Sequence, residues 1–285
     1  MMKTGVIGLG AMGSGMAMNF HKAGALHAVW NRTTSKAASL AESTGALHCD
    51  SPEQLASECE LIIVCVSRDE DVLEMIERIA NSVAGNAIIA DTSTVNSSTA
   101  VQAAEMLKPS GAHFLDCPVS GGSEGAVKGT LAMMVGGDES VLERVRPQLD
   151  AITKSIVHIG PTGSGQACKA VNQIICAGLY ETVAEALSFA QKADLDLEKV
   201  IKVVSGGAAA NWVLDNRSSF MLNNAYPPGF KVALLLKDLN ICKQMAENMG
   251  IDSLPITEHT MRDCETLIEQ GFSDEDVSSV YRLKP

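Results

Sequence analysis

Short apolar runs alternate with amphipathic stretches through the first half of the chain. Residues 6–9, 28–30, 61–66, 87–90 and 114–115 read as strands, and 12–23, 53–57, 69–80 and 97–107 as the helices between them. Ser51 ahead of Pro52 is a helix start, a capping hydroxyl followed by proline at the first helical position. Such alternation predicts a doubly wound, mostly parallel sheet. "TLAMMVGG" and "SIVHIG" then add strands around a helix at 139–149. After "GPTGSG" (160–165) the texture changes. Residues 166–193 hold no Pro and one Gly, Gly178, and helical segments follow at 197–204, 209–223, 231–250, 256–270 and 274–281. The expected organisation is an α/β domain over 1–161 and an all-α domain over 162–285. The second opens on a long interdomain helix.

Composition narrows the function classes. With 22 Lys+Arg against 34 Asp+Glu, the net charge is −12, which argues against a nucleic-acid partner. No apolar run reaches the length of a membrane span, so no membrane partner is expected. Eight scattered cysteines without a C-x-x-C pair suit reduced thiols in the cytoplasm better than a disulfide frame. No spacing of His, Cys, Asp and Glu suggests a metal. The first strand starts too close to Met1 to leave room for a signal peptide, and a transit sequence removed beforehand stays an open alternative.

Against that background the loop Gly8-Leu9-Gly10-Ala11-Met12-Gly13 stands out, because it links the first strand to the first helix. A glycine triplet is either a dinucleotide cradle or a tight turn into a buried helix. The βαβ context favours the cradle: one glycine for the turn, one for close approach of a pyrophosphate, one for helix–strand packing. The helix start would then offer its N–H groups to phosphate, and the first domain reads as Rossmann-type.

At the end of the second strand stands "WNRTTSK", with no acid. An NAD site calls for a carboxylate there, whereas arginine accommodates the 2′-phosphate of NADP. Asn31, Arg32 and Thr33 are therefore candidate cofactor contacts. The expected cofactor is NADP (NADPH), with NAD second. The alternative is a solvated loop.

Lys169, Asn172 and Gln173 lie at i, i+3 and i+4 on the long helix and share a face. Reduction of a carbonyl builds charge on oxygen, and a lysine beside it could supply the proton. Burial would favour that lysine's neutral form. The other reading is a surface lysine among polar neighbours. In "PVSGG", Ser120, Gly121 and Gly122 expose N–H groups and a hydroxyl suited to a carboxylate, or form an ordinary bend. Trp212 and Phe230 either shape a pocket or belong to the core.

The ordered set of the glycine loop, "DCPVSGG", "GxGxxxKAVNQ" and "LKDL" resembles the β-hydroxyacid dehydrogenases, a family that includes 3-hydroxyisobutyrate dehydrogenase, tartronate semialdehyde reductase and glyoxylate/succinic semialdehyde reductase. The resemblance covers essentially the whole chain. It implies Lys169 as the catalytic acid/base, Asn172 and Gln173 as substrate residues, and Ser120, Gly121 and Gly122 as the holders of the substrate carboxylate. It also implies Lys237 close to the nicotinamide end of the cofactor, with a helix-surface salt bridge as its alternative. Thr94 matches a position beside the nicotinamide ribose, and Val66 and Ser67 match the loop under the adenosine. There the family often carries Leu-Pro. "VWNRT" resembles the branch that reduces glyoxylate and succinic semialdehyde with NADPH. The substrate implied is a small anionic aldehyde or its hydroxy acid, and the helical domain over 162–285 is implied to shape its pocket and to form a homodimer or homotetramer. An NAD(P)-dependent 3-hydroxyisobutyrate or related 3-hydroxy acid dehydrogenase is the alternative within the family. Imine reductases replace the lysine that Lys169 keeps, and 6-phosphogluconate dehydrogenases have a longer helical part. A non-catalytic NADPH sensor is the rival of another class.

Overall fold

The structure, a computed structural model, describes residues 2–284. Its strands are β1 (Thr4–Ile7), β2 (Leu26–Trp30), β3 (Leu47–His48), β4 (Leu61–Val64), β5 (Ile88–Asp91), β6 (His113–Asp116), β7 (Val119–Ser120), β8 (Leu131–Gly136) and β9 (Thr153–Gly160). The helices between them are α1 (Ala11–Lys22), α2 (Thr34–Thr44), α3 (Pro52–Glu58), α4 (Asp69–Ile79), α5 (Ser97–Leu107), α6 (Gly122–Lys128) and α7 (Glu139–Leu149). The sheet runs β3-β2-β1-β4-β5-β6-β8-β7, with β9 on β8. Pairing is parallel from β3 through β6, and β8 runs antiparallel to both β6 and β7. The order 3-2-1-4-5-6 places a switch point between β1 and β4, where open α/β sheets bind ligands at the strands' carboxyl ends.

Central strands are apolar on both faces because helices cover both. Val6, Val29, Ile63 and Ile88 belong to one core layer, and Ile7, Ala28, Ile62 and Ile89 to the other. The expected helix start at Ser51 is present: its hydroxyl accepts from Gln54 N at 3.2 Å, and Pro52 begins α3.

By contacts the chain divides into compact units over 1–169 and 170–285, a division that falls inside a helix. That helix, α8 (Ser164–Lys192), runs unbroken through both. The second unit continues with α9 (Leu197–Val204), α10 (Trp212–Leu222), α11 (Val232–Asn248) and α12 (Pro255–Glu269) around a core that includes Tyr180, Leu187, Leu235 and Cys264. Expected helix 274–281 is corrected to a 3-10 run at Val277–Leu283. Asp276 explains it: one carboxylate oxygen accepts from Ser278 N and the other from Phe230 N, which pins the start of the segment to the α10–α11 connection. Two helices, α2 and α6, and the two-residue strands β3 and β7 were missing from the sequence reading. In α2 the only buried residues are Ala37 and Ala41, a weak apolar stripe, and α6 starts on glycine. Among the described residues, no helix is long and apolar enough to cross a membrane.

Candidate active site

In the first unit the glycine loop joins β1 to α1. Gly8 has φ +94°, and a Cβ there would run into the backbone carbonyl of Cys65 on the neighbouring strand's exit. Gly13 lies so close to Gly8 that a Cβ would collide with the Gly8 carbonyl oxygen. Gly10 is different: a Cβ there would meet nothing within 4 Å. It caps α1 with no side-chain hydrogen bond, and the first turn carries no acid. An open space before uncapped N–H groups at a helix start fits a bound pyrophosphate. Ala11 and Met12 form that first turn, exposed and half-buried respectively.

Not every group in the loop is available. Leu9 N donates to Asn31 Oδ1 at 2.8 Å, and Asn31 Nδ2 donates to Thr33 O at 3.1 Å. Asn31 thus ties the glycine loop to the turn after β2. Thr33 is the N-cap of α2 but makes no side-chain cap bond. The Arg32 side chain is 80 % exposed, and its Nη1 lies 3.2 Å from Asp71 Oδ1 in the first turn of α4.

The loops after β4 and β5 are joined. Val66 N donates to Ser93 Oγ at 2.9 Å, Ser67 is exposed beside it, and Thr94 is half-buried one residue on. Both residues around Thr94 are held by α8. Gln166 Nε2 donates to Ser93 O at 2.8 Å, and Gln166 Oε1 accepts from Val95 N at 3.2 Å. The start of α8 is fixed again by Asp116 at the end of β6, whose oxygens accept from Gly163 N at 2.8 Å and Gln166 N at 2.9 Å. Lys169 follows Gln166 by one helical turn and is 7 % exposed, so it is not a surface lysine.

Asp116 sits directly beside Asp91 in the β5–β6 register. Burial raises both carboxyls, Asp91 to about 6, and the backbone donors around Asp116 partly offset its own rise. Asp91 Oδ1 accepts from Ser93 N, whereas its buried Oδ2 has no hydrogen-bond partner. Ser120 closes β7, and Gly121 and Gly122, at φ +134° and +62°, turn the chain into α6. Cys117 is buried and its thiol is pushed well up by desolvation, so it holds no reactive thiolate.

The second unit carries a polar chain. Asn172 Nδ2 donates to Gln173 Oε1 at 2.8 Å, and Gln173 Nε2 donates to Asp238 Oδ2 at 2.6 Å. Lys237 Nζ lies 3.0 Å from Asp238 Oδ1. Gln173 and Asp238 are 2 % and 4 % exposed, so this is a buried network and not a helix-surface salt bridge. Trp212 is half exposed and stacks on Arg217, whereas Phe230 packs on the helical core.

Sequence reasoning passed over Gln166, Asp116, Asp91 and Asp71. Asp116 and Gln166 lay inside the quoted motifs, but neither had chemistry to mark it. Their importance is in bonds to backbone 50 and 73 residues away. No spacing pointed to a metal, yet Glu181, His259 and Asp263 bring ligand atoms within 4.8 Å of one another. Lys284 Nζ lies 2.6 Å from Glu181 and 2.7 Å from Asp263, an internal cation for that cluster.

Two family models match the chain end to end: the NAD-binding domain of 6-phosphogluconate dehydrogenase over residues 3–160, and the NAD-binding part of NADP-dependent 3-hydroxyisobutyrate dehydrogenase over 163–284. The 2-hydroxy-3-oxopropionate reductase of Escherichia coli is 37 % identical over 99 % of this chain and 96 % of its own. The chloroplastic glyoxylate/succinic semialdehyde reductase 2 of Arabidopsis thaliana is 32 % identical over 97 % of this chain and 77 % of its own. A structure of Mycobacterium tuberculosis 3-hydroxyisobutyrate dehydrogenase with L-serine superposes with a TM-score of 0.89 at 29 % identity, covering 99 % of both chains. A glycine cradle open at Gly10, a buried lysine one turn into α8, and matches that take in both units lead to one assignment. The chain belongs to the β-hydroxyacid dehydrogenase family, NAD(P)-dependent oxidoreductases acting on the hydroxyl group of hydroxy acids.

Proposed function

We propose that the protein is an NADPH-dependent reductase of a small carboxylate-bearing aldehyde, glyoxylate or a semialdehyde, and forms the corresponding hydroxy acid. The observation that carries the reading is the burial of Lys169, on a helix start locked by Asp116 and Gln166 to the loop bearing Thr94. Nicotinamide, when bound, supplies the hydride.

The residues of the chain do the rest. Gly10, Ala11 and Met12 would hold the pyrophosphate at the α1 N-terminus, with Gly8 and Gly13 shaping the turn. Arg32, with Thr33 beside it, would receive the 2′-phosphate; no acid on β2 opposes it. Val66, Ser67 and Thr94 border the strand ends where the nucleoside parts would lie. Ser120 Oγ and the N–H groups of Gly121 and Gly122 would hold the substrate carboxylate. As negative charge develops on the carbonyl oxygen, Lys169 Nζ gives it a proton. Asn172 and Gln173 orient the substrate, and Asp238 fixes Gln173 and Lys237 by the bonds described above. The relatives named for glyoxylate, succinic semialdehyde and 2-hydroxy-3-oxopropionate reduction support this substrate class. We further propose a cytoplasmic homodimer or homotetramer.

The test follows NADPH oxidation with glyoxylate, succinic semialdehyde, methylmalonate semialdehyde and tartronate semialdehyde, with NADH in parallel. Lys169→Ala should lower turnover about 10²–10⁴-fold, the usual contribution of a general acid, while NADPH still binds. Equal efficiency with NADH, or activity that survives in Lys169→Ala, overturns the reading.

A further inference from the structure

The end of β2 carries no carboxylate, yet the fold brings one there from another element. Asp71, in the first turn of α4, places Oδ1 3.2 Å from Nη1 of Arg32, 39 residues away in sequence. Its neighbour Asp69 is engaged elsewhere, accepting from Asn96 N at 2.8 Å and Thr99 Oγ1 at 2.6 Å. Asp71 is therefore the acid that faces the candidate 2′-phosphate arginine.

We propose that Asp71 is a specificity-determining residue that restrains the preference for NADP by competing with the 2′-phosphate for Arg32. This rests on the reading of Arg32 as the 2′-phosphate site. The pair is well suited to compete and then give way. Arg32 is 80 % exposed, and ion pairs of that kind are worth about 0–1 kcal/mol, so a phosphate can displace the carboxylate. A 2′-phosphate carries about −1.5 to −2 charges near neutral pH, and Asp71 both occupies a guanidinium donor and repels the incoming anion. Neither effect touches a cofactor whose 2′ position is a hydroxyl. The acid thus lowers affinity for NADP selectively and leaves the chain able to use both cofactors.

Binding, not turnover, tests this. Calorimetric titration of the full-length protein at low ionic strength would use NADPH, NADH, 2′,5′-ADP and 5′-ADP as probes. Wild type would be compared with Asp71→Asn, Arg32→Ala and the double variant. Asp71→Asn should tighten NADPH and 2′,5′-ADP about fivefold, the size of an exposed charge contact, and leave NADH and 5′-ADP unchanged. Asp71→Lys should tighten the two 2′-phosphates further, and 0.5 M salt should shrink both gains. The gain should vanish in the double variant. Equal tightening of all four probes, no tightening, or a gain that persists without Arg32 overturns the role of Asp71. Arg32→Ala separates the two layers. If it leaves the NADPH-to-NADH ratio unchanged, the Arg32 reading falls and the proposal with it. If it collapses the ratio while Asp71→Asn does nothing, only the proposal falls. A drop in thermal stability of Asp71→Asn with unchanged selectivity would make Asp71 a helix-terminus residue alone.

Discussion

Gln166 grips Ser93 and Val95 with the two ends of one side-chain amide, one helical turn ahead of Lys169. Only 1 % of Gln166 is exposed, so neither bond can be replaced by bulk water. Gln166→Leu keeps the volume and strands a carbonyl and an N–H. We expect a loss of about 2–6 kcal/mol, from about 1–3 for each of the two buried groups left unpaired, read by urea unfolding. Unchanged stability would mean that the loop finds other partners and that the clamp is not structural.

The glycines of the cradle should fail in different ways. Gly10→Val enters open space, so the melting temperature should hold while NADPH affinity falls about 100-fold or more as the side chain takes the phosphate's place. Gly13→Ala meets the Gly8 carbonyl and should destabilise the first unit whether or not cofactor is present. Calorimetric melting with and without NADPH distinguishes the two, and identical behaviour would contradict the assignment of separate tasks.

Asp91 makes stability depend on pH. Its carboxyl is held at about 6, above the ordinary 3.8, because burial and the neighbouring Asp116 disfavour the charged form. The native state therefore favours the protonated acid, and that contribution is full below about pH 4 and is lost as pH rises through about 6. Asp91→Asn should be more stable than wild type at pH 8, by about 1–3 kcal/mol from a shift of this size, and the gap should close towards pH 4. Denaturant melts across that range decide it; a gap independent of pH would rule out titration of Asp91 as the cause.

Lys284 neutralises Glu181 and Asp263 in the helical unit, and Glu181 is only 6 % exposed. Lys284→Met leaves two acids facing one another, and removing one partner of a buried pair costs about 3–5 kcal/mol. Adding Glu181→Gln should restore much of the loss. If thermal melts show the double variant no better than the single one, charge repulsion is not the mechanism.

What could be read from the sequence follows from where each signal resides. Gly8 and Gly13 were legible because the backbone geometry they permit is local, and strand ends such as Trp30 fell within one or two residues of expectation. Helix α5 agreed to the residue because Asn96 caps it and a run of small and apolar residues defines its face. Helix α2 was not legible, since two buried alanines make too little contrast with the rest of the segment. Lys169 stands out in the sequence by its motif and the face it shares with Gln173, and the structure adds its burial. Partners such as Asp238 for Gln173, or Asp71 for Arg32, depend on long-range pairing that no spacing encodes. The role of Lys237 was left open for the same reason: its adjacent acid looked like a solvent contact until Gln173 was found on the other oxygen.

Asn19 gives the first unit a further property. Its Nδ2 donates to Gly15 O within α1, and to Ala126 O at 2.7 Å and Val127 O at 3.2 Å within α6. A Cβ on Gly15 would lie 2.9 Å from the Ala126 backbone, so the two helices touch main chain to main chain. The proposed pyrophosphate cradle and the proposed carboxylate turn are therefore bolted into one block. Anyone retargeting this scaffold to longer or bulkier aldehydes should leave Gly15, Asn19, Ala126 and Val127 untouched, because a change at that contact disturbs both anion grips together. A mutant library confined to the helices after Lys169 leaves that block alone.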